Sequence, residues 1–180
     1  MDASKSYITF YNISPEEAED FEFDHLPSGT SDLVQSLVPN QGNWGDVTWI
    51  ELDEYEYDLR QNRIQITLET KWEPPIEWLR VASQASHSLE NKLATMTTIQ
   101  KDETCVTGVA VMGGDVLQNK LIFEMESEEV GKYYDDDEYP DLDLDDLDDL
   151  IWNSINKFVS VCERYYLEEG GTKNDNSEEW

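Results

Sequence analysis

The stretch Tyr133 to Trp152 reads YYDDDEYPDLDLDDLDDLIW, an acidic run into which leucines are inserted at regular intervals. A solvated acidic tail usually lacks large apolar residues, because it cannot bury enough surface to offset the entropy lost on ordering. Here an apolar series continues past the acids in steps of three and four, formed by Leu144, Leu147, Ile151, Ile155, Phe158 and Cys162. That spacing is one face of a helix. It predicts an amphipathic helix within 142–168 that packs on the rest of the molecule.

The acids are predicted to form a column on the exposed side of this helix. At about 100° per residue, the positions roughly opposite the apolar stripe are those of Asp141, Asp145, Asp148 and Asp149. Residues 127–141 are predicted as an acidic linker, and its candidate partner contacts are Tyr134, Asp135, Asp136, Asp137, Glu138 and Tyr139. Residues 169–180 are predicted as a flexible tail. The alternative is that the run is only a solvated helix face or linker.

Acidity is a property of the whole chain. The 180 residues include 41 acidic and 12 basic side chains, which gives a formal net charge of −29. Subtracting the ten acids of the run from the 41 still leaves 31 against 12. An aromatic content of 11%, with six Trp and nine Tyr, argues for a packed core and against disorder.

This charge excludes direct binding to nucleic acid or to an anionic membrane, since both are polyanions. It favours basic protein partners, above all the positively charged grooves of nucleic-acid-binding enzymes. The sequence shows neither a signal segment nor a run of about 18 apolar residues, which predicts a soluble, cytoplasmic protein. Cys105 and Cys162 fit no metal spacing and allow one disulfide at most, so reduced thiols are expected.

Residues 1–126 are predicted to form one α+β core domain. Strands are predicted over Tyr7–Ile13, Val47–Leu59, Arg63–Trp72, Leu93–Lys101, Cys105–Met112 and Leu117–Glu126, with the second and third joined as a hairpin. Short helices are predicted after Ser14, as N-cap, and from Ile76 to about His87. Strands segregated from helices favour an antiparallel sheet covered by helices on one face.

Two motifs resemble a ferredoxin-like domain family found in phage and conjugative-plasmid proteins of unknown function. They are NWGDVTW, Asn43–Trp49, and TKWEPPIEWL, Thr70–Leu79, with a weaker similarity in the strand that ends in Gly108. The similarity extends over about 6–123 and departs at Asp46, where the family usually has a basic residue. It implies a ferredoxin-like sheet and a mobile-element origin, and it implies no catalytic residues. The tryptophans of both motifs are more simply explained as large core side chains.

No motif indicates catalysis. His25 and His87 are isolated, and neither a nucleophile elbow nor a phosphate-binding glycine loop occurs. The spacing Asp141-x-Asp143-x-Asp145 is that of an EF-hand loop, but aspartate follows where glycine is required and tryptophan stands where a bidentate glutamate is required. The sequence therefore predicts a protein that is not an enzyme, with no cofactor and no dedicated metal site.

The carboxylates are candidates for replacing phosphates. Alternate strand residues lie about 6.6 Å apart and helix neighbours at i, i+4 about 6 Å, close to the roughly 6–7 Å between successive DNA phosphates. One such row on a strand face is Glu54, Glu56 and Asp58, and a second row on the helix is Asp141, Asp145 and Asp149. Predicted apolar anchors beside these rows are Tyr55, Tyr57, Tyr133, Tyr134 and Tyr139.

In this character, without an alignment, the chain resembles the acidic DNA-mimic inhibitors that phages deploy against restriction and CRISPR nucleases. The resemblance implies a non-catalytic inhibitor, anti-CRISPR or anti-restriction, that blocks the basic cleft of a host defence nuclease. The alternative is an accessory mobile-element protein that binds another protein through its sheet or its Trp-rich turn, with acidity conferring only solubility. A third interpretation is a cation-binding or halophilic protein. The target, the stoichiometry and a homodimer through the sheet stay open at this point.

Overall fold

A computed structural model of the protein describes residues 4–19, 50–71, 73–83, 92–100 and 102–170. The strands are β1 Ser4–Phe10, β2 Ile50–Asp58, β3 Arg63–Thr70, β4 Leu93–Ile99, β5 Cys105–Met112 and β6 Asp115–Glu124. The helices are α1 at 15–19, α2 Ile76–Ala82, α3 Ser127–Lys132 and α4 Leu144–Cys162, which continues into a π-helical turn, Glu163–Glu168. The six predicted strands are present; Cys105–Met112 has the predicted bounds, and each of the other five differs at one or both ends.

The strands form one antiparallel sheet in the order β2-β3-β1-β4-β5-β6. The predicted hairpin of β2 and β3 is confirmed, and β4, β5 and β6 follow one another as a meander. β1 lies in the middle, paired with β3 on one side and β4 on the other. The α+β class with an antiparallel sheet is therefore confirmed, whereas this strand order does not confirm a ferredoxin-like arrangement.

One face of the sheet carries the larger apolar core. Successive strand residues point to opposite faces, so the paired residues Ile8, Ile66 and Met96 share one side. Helices α1 and α2 cover this side, and the residues that they bury there are Ala18, Trp78, Leu79 and Ala82. Burying an apolar side chain of this size contributes about 1.5–3 kcal/mol. Helices α1 and α2 are therefore held on the sheet by the burial of their apolar side chains.

Helix α4 packs on the opposite face, against β4, β5 and β6. Gly108 of β5 lies beneath it, and a Cβ built at this position would come within 2.7 Å of the Phe158 ring. A residue without a side chain is thus needed for the helix to lie this close. β5 is covered on both sides, and its apolar sequence CVTGVAVM is typical of such a strand. The shorter helices α1 and α2 lie on one face, as expected, and the C-terminal helix α4, whose face was not predicted, covers the other.

Two helices begin with the same hydrogen-bonding device. Ser14 is the predicted N-cap of α1, and its Oγ accepts a hydrogen bond from Glu17 N at 3.1 Å while Glu17 Oε1 accepts from Ser14 N at 3.2 Å. At α4, Asp143 and Asp146 form the equivalent pair through bonds of 2.9 and 3.4 Å. Such capping boxes satisfy backbone N–H groups that have no partner within the helix.

The interval 127–141, predicted as an acidic linker, contains α3 and a series of turns. Val130 of α3 is buried with Leu147 and Ile151 of α4, which holds the interval against the body of the protein. Because Asp143 caps α4, the preceding Asp141 lies in a turn. The prediction that Asp141 belongs to the helical column is therefore wrong.

Several predictions lie outside the described residues. These are the motif Asn43–Trp49, Trp72 of the second motif, the continuation of α2 towards His87, and the tail beyond residue 170. Within the described ranges, no helix is long and apolar enough to cross a membrane.

Candidate partner-binding cleft

Two rows of side chains cross the sheet on the α4 side and form the floor of a cleft. The first row, on β2, β3, β1 and β4 in that order, consists of Glu54, Thr67, Tyr7 and Thr97. The second row, in the same order, consists of Glu56, Gln65, Thr9 and Thr95. Residues that face each other across paired strands point to the same side of the sheet. All eight therefore line the same cleft.

One flank of α4 forms the wall of this cleft, through Trp152, Ile155, Asn156 and Val159. The volume enclosed is ≈ 340 Å³. The Trp152 ring meets the Tyr7 ring edge-on, with centroids 4.9 Å apart and planes inclined by 65°. A helix is about 10 Å wide and strands are about 4.8 Å apart, so one helix covers only two or three strands. Among the elements that the structure describes, none covers β2 and β3 on this side.

The floor contains buried hydroxyl groups. Thr67 and Thr97 are 8% and 1% exposed, and both line the cleft. Neither side chain has a hydrogen bond to any residue that the structure describes. These two oxygens are therefore available to whatever polar group occupies the cleft.

Carboxylates border the cleft on the β2 side. Glu54 and Glu56 are exposed, and neither forms an ion pair within the described ranges. Asp53, at a bulge of the same strand, pairs with Lys5 across 3.0 Å. At the far end of the cleft, Arg63 pairs with Glu163 at 3.2 Å. Lys5 and Arg63 are thus both ion-paired, and no cation that the structure describes pairs with Glu54 or Glu56.

One acid of α4 acts at the same cleft. Asp148 lies one helical turn before Trp152 and is exposed. Burial raises the pKa of Tyr7 above its ordinary value; Lys5 opposes this, and the carboxylates of Asp53, Asp148 and Glu54 raise it further. Tyr7 therefore experiences the charge of one acid from each predicted set, Glu54 of β2 and Asp148 of α4.

Some carboxylates of the acidic run form hydrogen bonds within the fold, and others form none. Asp135 Oδ1 accepts a hydrogen bond from Glu138 N at 3.0 Å, and Asp143 and Asp146 cap α4. The structure describes the whole run, and the carboxylates of the run without a hydrogen bond or ion pair are those of Asp136, Asp137, Glu138, Asp141, Asp145, Asp148 and Asp149. Among them, Asp145 and Asp149 lie within one turn of Asp148 on α4 and are exposed with it. The others lie in the preceding turns.

The remaining predicted contacts have local structural roles. Tyr134 donates a hydrogen bond to Glu103 Oε2 at 3.0 Å, and the Tyr139 ring centroid lies 5.7 Å from Lys132 Nζ. Asp58 Oδ1 accepts from Arg60 N and Gln61 N, so it fixes the β2–β3 turn.

Tyr55 and Tyr57, predicted as anchors beside the acids, pack instead against the core on the α1 and α2 side. Their prediction is wrong because they alternate with Glu54 and Glu56 along β2 and so point to the other face. The aromatic residues that do border the cleft, Tyr7 and Trp152, were not predicted.

A sequence signal for part of the cleft exists. In β4, LATMTTI, Thr95 and Thr97 alternate with the buried Ala94 and Met96, which indicates one polar face on a strand that is otherwise buried. Nothing in the local sequence indicates that Trp152 lies over that face, since this depends on how α4 crosses the sheet.

The groups that line the cleft are carboxylates, hydroxyls, amides, and aromatic and aliphatic side chains. Among the described residues, no group of three or more His, Cys, Asp or Glu side chains is arranged to hold a metal ion. Cys105 and Cys162 are free, and burial raises the pKa of both thiols. Comparisons with protein-family models, curated proteins and solved structures found no match.

Proposed function

We propose that this protein is a non-catalytic inhibitor that binds the basic nucleic-acid-binding cleft of another protein in place of nucleic acid. The target class that fits this role is a nuclease of a host defence system, such as a CRISPR effector or a restriction enzyme. The observation that carries the proposal is that Glu54 and Glu56 of β2 line the cleft, and that the carboxylate of Asp148 on α4 acts on Tyr7 in its floor.

Rigid presentation of these acids supports the proposal. Glu54 and Glu56 lie on a strand in register with β3, and the acids of α4 follow a capped helix start. Charges that are held in place before binding lose less conformational entropy when a partner arrives. A polyanionic surface of this kind favours fast association with a basic groove, and the affinity falls as salt rises.

An origin among ferredoxin-like domains of phage and plasmid proteins is part of the proposal and rests on sequence motifs alone. Of these, Thr70–Leu79 includes the end of β3 and the start of α2. The role of Gly108 is explained without common ancestry, by the close approach of Phe158.

The experiment is capture from host lysate on the immobilised protein, with elution first by a salt gradient and then by duplex DNA or RNA. The variant E54Q/E56Q/D148N neutralises three acids around the cleft. Its control, E16Q/E19Q/E77Q, neutralises three exposed acids on α1 and α2, which cover the opposite face. Mass spectrometry identifies the partner.

The proposal predicts that wild type and control retain the same nucleic-acid-binding protein, and that salt and competing nucleic acid both release it. The cleft variant should retain none. A partner that ignores salt and nucleic acid would contradict the proposal and favour an interaction module whose acidity confers only solubility.

A further inference from the structure

We infer that the cleft between α4 and β2 is a receptor for a single arginine side chain of the basic partner. The inference rests on the proposed function and adds to it a specific docking position. The site consists of the two rows on the sheet, the Tyr7 and Trp152 rings, and the two buried threonine hydroxyls.

The charge around the cleft selects a cation. Glu54 and Glu56 lie on one wall, and no described cation neutralises them. Near Tyr7, the carboxylate of Asp148 on α4 adds to this negative charge, whereas Asp53 is paired with Lys5. An anionic group would be repelled here, whereas a cation gains attraction from charges held on two separate elements.

Acceptor groups inside the cleft match the many donors of a guanidinium. The buried hydroxyl oxygens of Thr67 and Thr97 have no described partner and lie on either side of Tyr7 in the same row. Gln65 and Asn156 line the same space and supply amide oxygens. A guanidinium carries five N–H donors and no acceptor, so it can use several of these oxygens at once.

The aromatic pair favours arginine over lysine. Trp152 is 38% exposed at the cleft and contacts Tyr7, so part of its ring is free to pack against a planar cation. A guanidinium stacks on aromatic rings and is more weakly hydrated than an ammonium group, which makes it easier to bury. A lysine would lose more hydration and satisfy fewer acceptors.

The test compares a tetra-arginine peptide with a tetra-lysine peptide of equal charge, titrated into the isotopically labelled protein and followed by NMR. We expect the arginine peptide to bind about tenfold more tightly, which is the effect of one additional charge-assisted hydrogen bond. The Trp152 indole N–H signal should shift during the titration. That of Trp78, which is fully buried on the other side of the sheet, should not.

Two variants locate the preference. T67V/T97V removes the hydroxyls and keeps the side-chain shape, and it should reduce the arginine-to-lysine affinity ratio to near one. The variant E16Q/E19Q matches E54Q/E56Q in charge change but alters exposed residues of α1, which covers the opposite face of the sheet. This control should leave the arginine-to-lysine affinity ratio unchanged. E54Q/E56Q should reduce that ratio to near one.

Equal affinity of the wild-type protein for both peptides would overturn the inference, and so would a preference that survives T67V/T97V. The affinities of the wild-type protein for the two peptides, together with the shift of the Trp152 signal, test the inference even if a variant fails to fold. Equal, strongly salt-dependent binding of both peptides would refute the inference of an arginine receptor but would remain consistent with the proposed function. Failure of the proposed function would appear separately, in the lysate experiment.

Discussion

The side of the sheet that faces α4 has a closed half and an open half. Over β4, β5 and β6, the helix buries Ile151, Ile155 and Phe158, and Gly108 makes room for the Phe158 ring. Over β2, β3 and part of β1, the same side carries threonines, a glutamine and glutamates around a cleft. We define these as the closed half and the open half.

The difference between the halves follows one row of residues across the sheet. From the edge strand inwards, the row changes from a carboxylate to a hydroxyl, a phenol, a second hydroxyl and then glycine: Glu54, Thr67, Tyr7, Thr97 and Gly108. Stability resides at the glycine end, where the helix is seated. Recognition groups accumulate at the other end, where no described element covers the sheet. The predictions that follow test this division.

Removing the ring that seats the helix should have the largest effect. Phe158→Ala leaves a cavity over Gly108 in the closed half, and we expect a loss of about 3–5 kcal/mol in the free energy of unfolding. Denaturant unfolding measures this loss. Lys157→Ala, at the exposed neighbouring position, should change stability by less than about 0.5 kcal/mol. Similar losses in both variants would show that the closed half is not the main support of α4.

Adding a methyl group beneath the same ring should have the next largest effect. In Gly108→Ala the new Cβ would lie 2.7 Å from Phe158, so we expect a loss of about 1–3 kcal/mol. Gly131→Ala is the control, because nothing lies within 4 Å of its Cβ and alanine favours a helix by up to about 1 kcal/mol. In a Phe158→Ala background the cost of Gly108→Ala should disappear. An additive double variant would contradict this contact.

Alkaline pH should cost more stability through Tyr11 in the closed half than through Tyr7 in the open half. Tyr11 is buried there, donates a hydrogen bond to Glu163 at 3.0 Å, and burial raises its pKa above the ordinary value of 10.0. The unfolded chain therefore loses this proton first. Stability contributed by Tyr11 is fully present below pH 10 and declines as pH rises above it.

Tyr11→Phe should cost about 1 kcal/mol near neutral pH through lost hydrogen bonds and should reduce the decline in stability above pH 10. Tyr7→Phe, in the half-buried open half, should reduce that decline less. Unfolding curves collected at several values between pH 8 and 11 would test both variants. An unchanged alkaline slope in Tyr11→Phe would contradict the assignment.

Neutralising the open half should have the smallest effect on stability. We expect E54Q/E56Q to change the free energy of unfolding by no more than about 0.5 kcal/mol, since both side chains are exposed and without described ion pairs. Any gain should come from relief of repulsion and should vanish in about 1 M salt, where the Debye length is about 3 Å. A large loss would mean that these acids serve the fold.

Local patterns were sufficient to predict several parts of this arrangement. The period of two in β2 placed Glu54 and Glu56 on one face, and the three-and-four spacing predicted the buried stripe of α4, including Leu147 and Phe158. The helix start was predicted two residues early, because the capping pair of Asp143 and Asp146 was not recognised.

The cleft itself could not be predicted from local patterns. It requires β1 to pair with both β3 and β4, and α4 to cross only the distant half of the sheet. These contacts join residues far apart in the chain, such as Tyr7 and Trp152, and no periodicity encodes them. The acids on β2 and those on α4 were therefore predicted as two separate rows. The residues of β3, β1 and β4 that lie between them in the cleft were not predicted.

Carboxyl footprinting of the protein alone and in complex with its captured partner would test the central claim most directly. Carbodiimide coupling of an amine label, read by mass spectrometry, reports the accessibility of each acidic side chain. We predict that labelling of Glu54, Glu56 and Asp148 falls severalfold in the complex, while Glu16, Glu19 and Glu77 on the opposite face label as before. Protection of the opposite face, with the open half still fully labelled, would contradict the account.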